Sequence, residues 1–144
     1  MEKNEFTGSC HCGNIRYRFT TRLGLHELPL RRCNCGFCRK QGAAYASDPS
    51  GDLALEIKEP EALKKYRFSS GVVDFLICRN CGVMTTAIAS IDGNLYGVIV
   101  ANSLDDPITT TPEEKEFTNE SVEDGLQRRK RNWIGKVTVN FPSC

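Results

Sequence analysis

"CNCGFCRKQGA", residues 33–43, sets three cysteines within six positions. An odd number of thiols cannot all be used by disulfide pairing. The other cysteines stand at 10, 12, 78, 81 and 144, so that seven of the eight fall in three clusters: "SCHCG", "CNCGFC" and "CRNCG". Gaps of one or two residues let neighbouring sulfurs face one point at zinc–thiolate distance. The glycine that follows the second cysteine of each cluster (Gly13, Gly36, Gly82) lets the backbone fold around an ion. A pair one residue apart is badly placed for a relaxed disulfide. The clusters read as metal ligands.

Ligand counting divides the seven. The pairs Cys10/Cys12 and Cys78/Cys81 supply four thiolates, enough for a closed tetrahedral structural zinc. Cys33, Cys35 and Cys38 then supply three ligands and leave one position open, the pattern of a catalytic zinc. An incoming thiol suits that position, because coordination strips its proton at neutral pH from a group whose free pKa is about 8.5. Zinc with three thiolates is formally an anion, and cations beside it would offset that charge. Arg31, Arg32, Arg39 and Lys40 flank the triplet. Each alone reads as a solvated surface charge; together they are candidates for holding the carboxylates of a small acidic thiol, arginine having the better geometry.

Around the cysteines the pattern is that of strands. "GNIRYRFTT" (13–21) alternates Ile15, Tyr17 and Phe19 with Asn14, Arg16 and Arg18, the period of a half-buried strand. "VVDFLIC" (72–78) and "VMTTAIAS" (83–90) are apolar or β-branched runs flanking Cys78/Cys81, and 83–101 reads as a hairpin turning at Asp92-Gly93-Asn94. Further strands are expected near 53–58 and 64–68, with a helical turn opened by Pro60 and a short helix from Gly36 to Gln41. From 103 the chain turns polar and reads as a long loop, followed by a partly helical or surface-arm segment, "NESVEDGLQRRKRNWIG".

Composition narrows the class. With 144 residues and 40 % hydrophobic content the chain suits one ordinary core, so a single domain over 1–144 is expected. Nineteen basic against eighteen acidic side chains give a formal charge of +1, and no global field recommends nucleic acid or an anionic membrane. "MEKNEFTGSC" lacks the basic end and apolar core of a secretion signal, and "LYGVIVA" is too short to span a bilayer. The expectation is a cytoplasmic protein without a membrane partner. Thiols stay reduced there, and eight cysteines point to metal or catalysis before disulfides.

"SCHCGNIRY", "CNCGFCRKQGA" and "CRNCGV", in this order and at about these distances, resemble the glutathione-dependent formaldehyde-activating enzyme family, which includes centromere protein V. The resemblance covers roughly 7–100 and implies a mainly β, Mss4-like tent built around two zinc ions, with few short helices. By the family's motif, Cys10, Cys12, Cys78 and Cys81 would hold a structural zinc and Cys33, Cys35 and Cys38 a catalytic one, the same division that ligand counting gives. It also implies a reaction: addition of glutathione, or a related thiol, to formaldehyde to give S-hydroxymethylglutathione, classed in reverse as a carbon–sulfur lyase. The chain departs from the family pattern at Gly36, where many members carry serine.

Other residues carry weaker signals. His11 lies between two ligands and its side chain is expected to point away; His26 reads as a loop histidine, Cys144 as an exposed thiol, and Phe37 as a wall of the site or plain core. "RRKR" (128–131), with acids at Glu123 and Asp124, reads as a solvated run rather than a nucleic-acid contact, and Trp133 as core. The competing expectations are a non-catalytic zinc-stabilised binding module and, behind it, a nucleic-acid-associated protein.

Overall fold

The computed structural model describes residues 3–108, 110–117 and 119–141, so Cys144 lies outside the described residues. The strands are β1 Asn4–Ser9, β2 Ile15–Thr21, β3 Leu30–Cys33, β4 Tyr45–Ala46, β5 Asp52–Ile57, β6 Leu63–Tyr66, β7 Val73–Cys78, β8 Met84–Ile91, β9 Asn94–Val100, β10 Glu113–Lys115 and β11 Lys136–Asn140. Helices α1 Gly36–Gln41 and α2 Val122–Asn132 complete the set, with short 3₁₀ turns, one of them opened by Pro60. The mainly β architecture expected from the sequence forms as two sheets, ordered β1-β2-β5-β11 and β10-β3-β4-β9-β8-β7-β6 among the described residues.

Alternation explains the smaller sheet. Ile15, Tyr17 and Phe19 of β2 point inward while Arg16 and Arg18 face solvent, and β5 does the same with Leu53, Leu55 and Ile57. These residues pack with Leu30, Ala46, Leu76, Ile88 and Ile99 of the larger sheet in one apolar cluster, so the main core lies between the sheets. The larger sheet is also covered on its other face. Met84, Ala87, Ala89 and Ile91 of β8, with Val98 and Val100 of β9, pack there with Cys38, Tyr45 and Trp133. That double burial is why "MTTAIAS" reads as a nearly continuous run instead of alternating.

Turn chemistry fixes the register of the central hairpin. Asp92 and Gly93 both have positive φ (52° and 80°), and Ile91 pairs with Asn94 across them, giving the two-residue turn that suits strand twist.

The region after 103 corrects the expectation of a long loop. Glu113, Glu114 and Lys115 pair in parallel with Arg31, Arg32 and Cys33, and β11 pairs in parallel with β5. Helix α2 forms between them, started by the Ser121 side chain accepting from the Asp124 N–H at 3.1 Å, with acids in its first turn and bases in its last. No described helix is long and apolar enough to cross a membrane.

Candidate functional site

Two turns of similar build bring the four-cysteine cluster together. Cys10 and Cys12 sit between β1 and β2, where the Gly13 N–H reaches the Cys10 carbonyl at 3.2 Å. Cys78 ends β7 and Cys81 lies in the turn to β8, where the Gly82 N–H reaches the Cys78 carbonyl at 2.8 Å. Gly13 and Gly82 have φ of 85° and 79°, a conformation that other residues enter only with strain. The four sulfurs lie within 4.8 Å of one another. Cys10 and Cys12 are 3.8 Å apart and Cys12 and Cys78 3.5 Å, close to the edge of about 3.8 Å that a tetrahedron of zinc–sulfur bonds requires and far from a disulfide bond. Unmetallated, the thiols compete for protons. Burial pushes Cys78 up; at Cys81 burial acts the same way, but backbone N–H groups of Cys12 and Val83 together with hydrogen bonds from the Cys78 and Cys10 thiols bring that thiol down. A divalent cation replaces those protons, so the donor set fits a metal ion.

The triplet is built differently. Cys33 ends β3, Cys35 caps the N-terminus of α1 by accepting the Cys38 N–H at 3.3 Å, and Cys38 is buried one turn on. Gly42, at φ 68°, stops the helix by turning its N–H back to the carbonyls of Cys38 and Arg39. The three sulfurs lie within 4.8 Å of one another, and among the described residues no fourth histidine, cysteine or carboxylate atom joins them. Strand β10 supports this corner, with the Asn34 N–H donating to the Lys115 carbonyl at 3.0 Å. Cys33 is held below the usual thiol range chiefly by the hydrogen bond from Cys38, whose own thiol is raised by the same bond and by burial. Tyr45 of β4 places its hydroxyl 3.1 Å from the Cys38 sulfur. Burial first, and then negative charge at Cys38, pushes that phenol up, so it stays protonated and would donate to the Cys38 sulfur once a metal ion displaces the thiol proton.

All three of these cysteines open on a cleft of about 410 Å³; the four-cysteine cluster does not line it. Its walls include Tyr45, Phe68, Phe75, Phe117 and Trp133, and its charged lining is Arg31, Glu120, Arg128 and Arg129. Arg128 forks onto Glu120 at 2.8 and 3.1 Å and lies over the Phe117 ring at 3.7 Å. Arg31 donates to the Ser47 hydroxyl at 2.9 Å, and Ser47 donates to the Asn132 carbonyl at 2.6 Å, tying β3 to the end of α2. Burial and then the like charge of Arg128 push Arg31 down to about 10.

The structure thus gathers both cysteine groups singled out in the sequence, and either could hold a metal ion. Of the four flanking cations, Arg31 lines the cleft, whereas Arg32, Arg39 and Lys40 are exposed and do not. His11 and His26 are exposed and join neither cluster. Phe37 packs on Tyr66, Phe68 and Phe75 with ring centroids 4.8 to 5.1 Å apart, so it backs the cleft wall. The solvated reading of "RRKR" needs correction, since Arg128 and Arg129 line the cleft while Lys130 pairs with Asp92. Tyr45 and Glu120 escaped the sequence reading, and in it Arg128 and Arg129 carry no role at the site. One signal was there: Gly125, Arg129 and Trp133 recur at a spacing of four, which puts them on one helix face.

Comparison with known proteins agrees with this geometry. A crystal structure of a Rhodobacter sphaeroides protein superposes with a TM-score of 0.57 at 23 % identity, covering 76 % of this chain and 99 % of that one, and shows the same fold. A Halomonas elongata protein named "Putative glutathione-dependent formaldehyde-activating enzyme" is 47 % identical over 47 residues; the match takes in 31 % of this chain and only 28 % of the relative. The sequence pattern of the family described as "Glutathione-dependent formaldehyde-activating enzyme" matches residues 5–120, beyond the 7–100 expected from the motifs and containing all seven clustered cysteines. On that match the chain belongs to the glutathione-dependent formaldehyde-activating enzyme family.

Proposed function

We propose that the chain is one zinc-binding domain acting in the cytoplasm as an enzyme of carbon–sulfur lyase type, joining glutathione or a related thiol to formaldehyde. One observation carries this reading: Cys33, Cys35 and Cys38 face a cleft large enough for a small peptide, while Cys10, Cys12, Cys78 and Cys81 lie away from it. The first group would hold a catalytic zinc and the second a structural one. A zinc bound at the triplet supplies an acidic position that takes a sulfur and removes its proton.

The chain's own residues do the rest. Tyr45, 3.1 Å from the Cys38 sulfur, would donate to it once zinc holds that sulfur as a thiolate, spreading its negative charge. The aromatic walls exclude water and hold the thiol beside the small aldehyde, turning an encounter of two solutes into a reaction within one site. The substrate sulfur adds to the aldehyde carbon, a C–S bond forms, the carbonyl π electrons move to oxygen, and that oxygen takes a proton from water. The thiol proton has already been released.

Native mass spectrometry of the zinc-loaded protein with glutathione, followed by NMR of adduct formation with formaldehyde, tests the reading. Two zinc ions per chain, and an adduct rate above the spontaneous one that Cys35→Ser abolishes, are expected. A fully metallated protein that ignores thiols and leaves the rate unchanged would make it a zinc-stabilised binding module.

A further inference from the structure

Helix α2 carries two of the cleft's three guanidinium groups, and the helix lies beyond the stretch that the family pattern matches. Arg128 is already committed to Glu120. Glu120 is the sole carboxylate lining the cleft among the described residues, and neither Arg31 nor Arg129 has a carboxylate at ion-pair distance there. The Arg129 Nε is buried with no hydrogen-bond partner. An unanswered buried donor on a cation is costly, and a ligand in the cleft would supply the acceptor that the chain does not. Helix composition points the same way. Gly125, one turn before Arg129, weakens the helix interior by about 1 kcal/mol relative to alanine. A Cβ there would crowd the Arg129 Nη1 at 3.0 Å and the Glu120 Oε1 at 3.1 Å. Its absence leaves room for the guanidinium to lie along the helix beside the cleft.

We infer that Arg129 and Arg31 form a seat for an anionic group of the thiol substrate, so that the cleft selects thiols bearing a carboxylate and α2 supplies the selection. This rests on the proposed thiol-binding role of the triplet. A carboxylate has the planar, two-oxygen shape that guanidinium donors match. The Ser47 hydroxyl, held by the Asn132 carbonyl, fixes the Arg31 fork in place before ligand arrives, which lowers the entropic cost of binding.

Calorimetric titration of the zinc-loaded protein with 3-mercaptopropionate, 2-mercaptoethanol and S-methylglutathione tests the seat, using wild type, Arg129→Gln and Arg129→Lys after thermal melts establish that each folds. Wild type should bind 3-mercaptopropionate at least about tenfold more tightly than 2-mercaptoethanol, the factor one charge-assisted hydrogen bond supplies. Arg129→Gln should bring the two within about twofold by weakening the acid alone, and Arg129→Lys should restore part of the preference. Equal affinities in wild type, or a variant that weakens both thiols alike, would overturn the inference and leave Arg129 offsetting charge at the thiolates. If no thiol binds, the proposed enzyme function fails. S-methylglutathione then decides the seat alone: Arg129-dependent binding upholds it and no binding ends it.

Discussion

The hydroxyl of Tyr45 on β4 stands 3.1 Å from the sulfur of Cys38 on α1, a contact that joins the larger sheet to the triplet. Both side chains are buried in the cluster on that sheet's outer face. Tyr45→Phe keeps the ring and its packing and removes the donor. Partners that orient and stabilise metal ligands are typically worth about 10- to 100-fold in metal affinity. Zinc affinity at the triplet should fall by that factor, read by competition with a chromophoric chelator, while zinc affinity at the four-cysteine cluster stays unchanged.

Serine substitutions should separate the two cysteine groups. Cys78 is fully buried where β7 meets the main core, and losing a closed zinc site removes folding free energy directly. Cys78→Ser should lower the melting temperature by on the order of 10 °C or more. Cys35 is an N-cap, and serine is a preferred N-cap, so Cys35→Ser preserves the start of α1 while deleting a thiolate. Its melting temperature should move by only about 3 °C, with thiol binding lost. Thermal melts with and without a chelator check both. Equal destabilisation by the two substitutions would make the triplet structural as well.

What the sequence disclosed was local. The alternation of Ile15, Tyr17 and Phe19 announced β2, the Asp92-Gly93 turn announced the hairpin, and cysteine spacing with its glycines announced both clusters. What it hid depends on partners distant in the chain. "NEFTGS" has no apolar period, and it becomes β1 because its backbone pairs with Arg16 to Thr21 of β2. "EEK" becomes β10 only by lying beside Arg31 to Cys33, and β11 by lying beside β5. The arginines of α2 look like a solvated run until Glu120 and Phe117 are brought under Arg128. Charge in a sequence shows its sign but not which face will be covered.

Gly8 should tolerate no side chain. A Cβ on this β1 residue would collide with the phenolic oxygen of Tyr17 and approach the Ser103 carbonyl oxygen to 2.7 Å. Tyr17 is buried, so relief requires moving it out of the core and breaking its 2.8 Å bond to the Ser103 hydroxyl. Gly8→Ala should cost about 1–3 kcal/mol, the usual range for overpacking, measured by urea unfolding.

Tyr17 also sets an alkaline limit. Its phenol is raised above the ordinary value of about 10, first by burial, with Asp105 adding to the effect and the Ser103 hydrogen bond opposing it. The folded protein therefore retains a proton that the unfolded chain releases. Stability from this group is complete below about pH 10 and is lost as pH rises from there toward the folded pKa, at about 1.4 kcal/mol per pH unit. Tyr17→Phe removes that dependence at the cost of one buried hydrogen bond, about 1 kcal/mol, since the Ser103 hydroxyl still donates to the Val100 carbonyl at 2.7 Å. The variant should be less stable than wild type at pH 8, and the two should converge and cross about one unit above pH 10. Urea unfolding of both proteins from pH 8 to 11 measures this, because titration of the other groups cancels in the difference. A constant gap across the range would mean that Tyr17 ionises as readily in the fold as in the unfolded chain.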